Sequence, residues 1–407
     1  MAAPPRLLKF ANHRLQTAFS RTSLPVQSAR CINARAAEYL PDLPDLTESQ
    51  RTVREAISKV CTNFPDEYWL DCDNNKRWPS EFTSAITKDG WLGICMPAEY
   101  GGSDLGLAEA VAMMQTIAES GGGFSATSSI HMNIFGLAPV VKYGTEEQKK
   151  RFLPPLIEGK DTACFAVTEP NTGLDTLKLQ STATLSPDSS HYLLHGSKTW
   201  TSTAQRATKI LILPNHQTNQ TDSPQGRAAV DTNTLHFSDW RVPADDLIGG
   251  AGGGFGAIMH GMNAERVLLA GEAVGLGFAA LRRAAAYARG RVVFGRPVGA
   301  NQGVQHPLAA SWCELEAARL MVNRAAAMYD AGCATGEYAN AVKYLAAEAA
   351  FRACERAVMA HGGMGYAREY HVERYLREVL VPRIAPVSRE MCLNYVGEKV
   401  LRLPKSY

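Results

Sequence analysis

No CxxC pair occurs among the nine cysteines, which are scattered from Cys31 to Cys392. That spacing excludes a zinc ribbon or a dithiol redox motif and fits reduced thiols better than a disulfide framework. No excess of either charge is present: 42 basic against 40 acidic side chains leave a net charge of +2. Such a balance gives no reason to invoke nucleic acid or an anionic membrane surface. No apolar run approaches the roughly 20 residues of a membrane span. Walker A, HExxH and GxSxG sequences are missing, as is a GxGxxG turn after a strand, which removes the corresponding hydrolase and Rossmann readings. No metal-ligand cluster stands out. Acid is absent from residues 1–37, where Arg6, Lys9, Arg14, Arg21, Arg30 and Arg35 stand among Ser and Thr before Glu38. This is the composition of a mitochondrial transit peptide, which predicts delivery to the mitochondrial matrix and removes the segment from fold reasoning. The competing reading is a disordered basic tail. The terminal Lys405-Ser406-Tyr407 does not match the peroxisomal SKL signal.

What remains is long for one core, so two or three domains are expected. Residues 42–160 read as a helical domain. Thr47 is a candidate N-cap with Gln50 as its capping-box partner, and Phe124–Tyr143 is apolar enough for a buried helix. Between 161 and 250 the period shortens, with β-like runs at Cys164–Thr168, His191–His195, Lys209–Leu213 and Thr234–Phe237. Residues 251–407 return to Ala- and Leu-rich helices, at about 257–293, 301–332, 335–361 and 369–402, a four-helix bundle. The class is α+β: helical domain, small middle β-domain, helical bundle, with a cleft where the three meet.

Few segments could carry chemistry. Gly261–Gly277 reads as a helix in which Met262, Leu268, Leu269 and Ala273 form one apolar face. Glu265 lies within that face, so its carboxylate loses solvation and its pKa should rise, which suits a general base. The bland alternative is a surface Glu paired with Arg266. Trp200 stands near Ser202 and could stack on a planar ring while Thr168 and Ser202 hydrogen-bond its heteroatoms, or could be an ordinary core Trp. Arg291 and Phe294 place a cation and an aromatic ring at the end of the first bundle helix. Gly362 and Gly363 allow close backbone approach by a ligand.

In order along the chain, PAEYGG (97–102), YGTEEQKKRFLPPLIEGK (143–160), VTEP (167–170), GSKTWTS (196–202), RVPADDLIG (241–249), RVVFGRPVGANQ (291–302) and GGMGYAREYHVERYLRE (362–378) resemble the acyl-CoA dehydrogenase family. The resemblance implies FAD as cofactor, a homotetramer, and α,β-dehydrogenation of an acyl-CoA thioester in fatty-acid or branched-chain amino-acid catabolism. It also implies that electrons pass to electron-transferring flavoprotein. It matches Val167 and Thr168 to the flavin-contacting strand, and Trp200 and Ser202 to residues flanking the isoalloxazine. Arg291, Phe294 and Gln302 match residues that reach a neighbouring subunit's FAD, and Gly362 and Gly363 the loop near its adenosine. Most members place the catalytic Glu on a C-terminal loop, where this chain has Pro386. Isovaleryl-CoA and long-chain dehydrogenases place it on the first bundle helix, in an E-R-hydrophobic context that Glu265-Arg266-Val267 matches. Glu265 is therefore the expected base, with Glu272 and Glu390 in reserve and Arg266 and Leu174 on the substrate side. Leu174 replaces a family Ser, and Pro386 removes an N–H that the family aims at the thioester oxygen. Two other readings stay open: an inactive scaffold member, against which Glu265 argues, and a flavin oxidase.

One departure concerns the β-domain. In the family, two more strands follow the one matching Lys209–Leu213, yet only 17 mostly polar residues separate Leu213 from Asp231. Losing them exposes backbone groups of their neighbours and removes apolar cover beside the flavin. The 407-residue chain should therefore bind FAD weakly or fold poorly, unless a coding segment has been lost at a splice junction. The flavin-to-protein absorbance ratio of the purified chain, read beside the transcript across codons 213–231, checks this. Full flavin stoichiometry with a matching transcript would contradict it.

Overall fold

Thr47 and Gln50 form the capping box that their spacing predicts. Thr47 Oγ1 accepts from the Gln50 amide at 3.2 Å, and Gln50 Oε1 accepts from the Thr47 amide at 2.9 Å. Helix α1 (Glu48–Cys61) starts there. The computed structural model describes residues 45–136, 138–214, 228–333 and 335–406. The transit-like segment 1–37 and most of the shortened stretch, 215–227, therefore lie outside the described residues. Helices α2 (Asp66–Asn74), α3 (Ser80–Lys88), α4 (Leu107–Ile117), α5 (Gly123–Phe135), α6 (Ala138–Tyr143) and α7 (Glu146–Ile157) complete the first part. The apolar run at 124–143 thus falls on two helices, of which α5 is buried along nearly its whole length.

The middle part holds β1 (Ala163–Ala166), β2 (Thr182–Leu185), β3 (His191–Ser202), β4 (Lys209–Ile212) and β5 (Thr232–Pro243). β1 and β4 pair in parallel, with Ala163 opposite Lys209; β2, β3 and β5 form an antiparallel sheet, with Thr182 opposite His195 and Thr201 opposite Asn233. Each expected strand is present, but β3 and β5 run to 12 residues because polar positions such as Thr201 and Asn233 also join the ladder. β2 escapes sequence reading because it is four residues long and turns Leu185 to solvent. Among the described strands β4 pairs only with β1.

α8 (Gly254–Gly290) runs for 37 residues. A short hairpin, β6 (Val292–Val293) and β7 (Arg296–Pro297), leads to α9 (Gln302–Asp330), and α10 (Gly336–His361) follows. The fourth position differs from the single helix expected over 369–402. It is filled by α11 (Val372–Glu378), α12 (Val381–Ile384) and α13 (Arg389–Tyr395). Pro382 is accommodated in the first turn of α12, but Ala385, the residue before Pro386, is extended (φ -111°, ψ 157°) and ends that helix, so the apolar period does not continue as one helix. α4 joins the bundle from the N-terminal side: Val111, Met114 and Ile117 share one core with Val267, Val274, Ala346 and Ala350. Contact is close at Gly275 of α8, where a Cβ would stand 2.3 Å from the Gln115 carbonyl oxygen. The two helical parts therefore have a common interior.

A buried ion pair fixes where α5 begins. Glu378 accepts from the Phe124 amide (2.7 Å), Ser125 Oγ (2.6 Å) and Arg374 (2.9 Å). Arg374 in turn donates to the carbonyls of Gly121 (2.7 Å) and Gly122 (3.1 Å). Gly121 has φ 112°, a conformation that other residues rarely adopt. Removing one partner of such a pair leaves the other charge buried and unpaired. Glu378→Ala should cost roughly 3–5 kcal/mol, measured by urea denaturation. A loss below about 1 kcal/mol, typical of an exposed pair, would contradict this account.

Candidate active site

Glu265 stands in the first third of α8 and is 7% exposed, as its apolar face predicts. Its Oε2 has no hydrogen-bond partner among the described residues. Burial pushes its pKa up to about 7, against the pull of His131, Arg266 and Lys343, while the like charge of Glu272 adds to the rise. A carboxylate so placed can accept a proton near neutral pH and hold it, as a base for carbon acids must.

Three helices meet at this carboxylate. From α5 comes His131, 5% exposed, whose Nδ1 lies 2.6 Å from Glu272 Oε1 and whose Nε2 lies 3.9 Å from Glu265 Oε1. From α10 comes Lys343, 1% exposed, whose Nζ donates to the Val387 carbonyl. Burial pulls the Lys343 ammonium down to about 8. Val387 belongs to the loop that begins after α12, so the two places where the family carries its base converge on one spot. The reserve candidates separate clearly. Glu272 is engaged by His131, whereas Glu390 is exposed and bonded to Arg389 at 2.5 Å, which holds its carboxyl below the usual range. Arg266 is buried beside Glu265 and donates to Asn263 Oδ1 at 2.8 Å; Leu174 is 51% exposed on the loop after β1.

The β-domain reaches this spot through α5. Asn133 Oδ1 accepts from the Ala163 amide at 3.0 Å, and the rings of Phe135 and Phe165 are 5.6 Å apart. Val167 and Thr168 are held next to Trp200 by a buried lysine that the sequence did not single out. Lys198 Nζ donates to the Val167 carbonyl (2.9 Å), Glu169 Oε1 (2.8 Å) and the Leu213 carbonyl (2.6 Å). The Thr199 amide adds a bond to the Thr168 carbonyl at 2.9 Å. Trp200 is 58% exposed although Thr199 and Thr201 on either side are buried, so an indole face beside Ser202 is presented outward. That arrangement fits a planar cofactor better than a core Trp.

The remaining flavin-matching residues gather elsewhere. Arg291 follows α8, 26 positions after Glu265 and so roughly 39 Å along the helix axis. Phe294 is fully exposed with φ 51° in the turn between β6 and β7, and Gln302 opens α9. Tyr287 of α8 stacks on His361 at 4.3 Å, which brings Gly362 and Gly363 to the same end of the bundle. A Cβ added at either glycine meets nothing within 4 Å. Within one chain these residues and Glu265 cannot serve one compact site. His131, Glu272 and Lys343 were not legible as a unit; the only signal was polar side chains inside apolar helices.

A helical domain, a small β-domain and a bundle holding a buried carboxylate define a flavin-dependent dehydrogenase of the acyl-CoA type, and the chain belongs to the acyl-CoA dehydrogenase family. The family's N-terminal, middle and C-terminal domain models match residues 47–160, 164–243 and 252–401. An acyl-CoA dehydrogenase of Mycobacterium tuberculosis is 35% identical, covering 89% of this chain and 98% of its own length. The mitochondrial isovaleryl-CoA dehydrogenase of Bos taurus is 29% identical, over 92% of this chain and 94% of its own. The solved butyryl-CoA dehydrogenase of Megasphaera elsdenii superposes with a TM-score of 0.82 at 27% identity, covering 88% of this chain and 99% of that one. Members of the family act on CH–CH groups and use FAD, which the outward indole of Trp200 accommodates.

Proposed function

We propose that the chain dehydrogenates an acyl-CoA thioester to the trans-2-enoyl-CoA, with Glu265 as the base that takes the α-proton. The observation that carries this reading is a buried carboxylate on α8 whose Oε2 has no hydrogen-bond partner among the described residues and whose pKa burial raises to about 7. FAD, when bound, supplies the acceptor for the hydride that leaves the β-carbon. The chain's own groups do the rest. Burial removes water from Glu265, so its carboxylate is a stronger base toward a weak carbon acid than it would be in solvent. Lys198 and Glu169 fix the strand end that carries Val167 and Thr168, and Trp200 and Ser202 complete that surface. Lys343 fixes the loop at Val387, across which the thioester would lie.

Support for a homotetramer comes from the far end of the bundle. Arg291, Phe294, Gln302, Gly362 and Gly363 are grouped there, far from Glu265 in their own chain, as residues serving a neighbour's FAD would be. Electron-transferring flavoprotein is the acceptor that the family resemblance supports, within fatty-acid or branched-chain amino-acid catabolism. The retained Glu265 argues against an inactive scaffold. The alignment with the Mycobacterium tuberculosis relative runs over 387 positions that take in only 89% of this 407-residue chain, so some positions of that relative have no counterpart here; we place them after Leu213 on the polar composition of that stretch.

Glu265→Gln keeps the shape of the side chain and removes its basicity. Flavin content and melting temperature should stay at the wild-type level while substrate-driven flavin reduction falls by at least about 10²–10⁴-fold. Reduction at the wild-type rate would refute the assignment. Residues 1–37 are proposed to carry the chain into the mitochondrial matrix, on their acid-free, Arg-rich composition. A fluorescent reporter fused to them should co-localise with mitochondria; a reporter left in the cytosol would end that proposal.

A further inference from the structure

We propose that His131, anchored by Glu272, is a second holder of the proton that Glu265 removes from substrate. The inference rests on Glu265 being the base. It starts from the buried row Glu265–His131–Glu272, in which one imidazole bridges two carboxylates carried one above the other on α8. The contact with Glu272 at 2.6 Å is a strong charge-assisted hydrogen bond, and it fixes the ring so that Nε2 points toward Glu265. The 3.9 Å gap to Glu265 Oε1 is beyond hydrogen-bond range, but such contacts commonly tighten when substrate binds.

The proton movements balance. The α-C–H bond of the substrate breaks, an O–H bond forms on Glu265, and the electron pair left on carbon becomes the new double bond as the β-hydride departs. The O–H bond on Glu265 then breaks and an N–H bond forms at His131 Nε2. Glu265 is again a carboxylate and the ring an imidazolium lying between two buried anions, which favour a positive charge there. The two groups together carry one added proton throughout, so no co-reactant is needed. A proton parked on His131 is out of reach of the α-carbon, and this opposes its return to the product.

The charges that act on Glu265 are few. On α8 they are Arg266 and Glu272, on α5 His131, and on α10 Lys343. Near the pocket, α13 adds the Cys392 thiol, which acts on Arg266 and Lys343. The sign of the His131 effect follows. Glu265 works in its ionised form, so flavin reduction rises with pH through a midpoint set by its raised pKa of about 7. Glu265 and His131 share their first proton: placed on His131 it leaves Glu265 ionised, whereas without His131 it must sit on Glu265, so the midpoint moves up; transfer of the substrate's proton runs above that pH, where His131 is neutral.

The test compares the holoenzyme of the wild type with His131→Asn. The Asn amide can take the place of Nδ1, so the bond to Glu272 survives while nothing faces Glu265. Single-turnover flavin reduction between pH 6 and 9 should show a midpoint raised by about one unit or more. That is a roughly tenfold lower rate below both midpoints, converging at high pH. Histidine ¹⁵N NMR of the wild type supplies a second readout. The His131 ring should show two protonated nitrogens at pH 6, lose one as the pH rises, and titrate differently in Glu265→Gln. A midpoint within about 0.3 unit of the wild type in His131→Asn would overturn the inference. So would a His131 ring that remains one neutral tautomer throughout in both proteins, its signal told apart from those of the equally buried His361 and His371 by His361→Asn and His371→Asn, a result that decides the matter even if His131→Asn fails to fold. If Glu265→Gln itself reduces flavin normally, the base reading falls first; if that variant is inactive while His131→Asn keeps the wild-type profile, only the role of His131 falls.

Discussion

Keeping one carboxylate dry is the constraint on which the rest of this chain depends. Removing an ionised carboxyl from water costs several kcal/mol unless nearby charge or hydrogen bonds compensate. Glu265 has no hydrogen bond to do this on Oε2, so compensation comes from charges on separate helices: His131 on α5, Lys343 on α10 and Arg266 on α8 itself. Those charges act only if the three helices are held side by side. Small residues make that possible. Gly275 lets α4 lie against α8 at the Gln115 carbonyl, and Ala346 and Ala350 of α10 pack into the same interior. The Arg374–Glu378 pair then sets the starting point of α5, and with it the height at which His131 meets α8.

The β-domain repeats the device on a smaller scale. Lys198 is fully buried, and its three donor positions are taken by two carbonyls and a carboxylate from different segments. One ammonium thus joins the ends of β1 and β4 to β3. The strand end that carries Val167 and Thr168 owes its position to that knot as much as to the short parallel pairing of β1 with β4.

Local chemistry was the legible part of the sequence. The capping box at Thr47, the long bundle helices and the apolar setting of Glu265 all follow from spacing over a turn or two of chain, and the structure agrees to within a few residues. Features that need a partner distant in sequence were not legible. His131 reads as an ordinary polar residue in an apolar run until α5 is laid across α8. The lengths of β3 and β5 depend on ladder bonds between polar residues, which leave no apolar alternation to detect. The fourth bundle position departs from a single helix because the apolar period continues through Ala385, which is extended just before Pro386 and ends α12 whatever the pattern around it.

The length of α8 has a genetic consequence. Spanning roughly 55 Å, it carries Glu265, the proposed base, toward one end and leads into Arg291 at the other. In an assembly where the Arg291 end completes a neighbour's cofactor site, an allele altering Glu265 disables only the chain that encodes it. An allele altering Arg291 or Phe294 instead disables the chain next door. Two such alleles expressed together would yield mixed assemblies in which some sites draw both good halves from different parents. Given those roles and that assembly, intragenic complementation is the expected result for defects at opposite ends of the helix and is not expected for pairs at the same end.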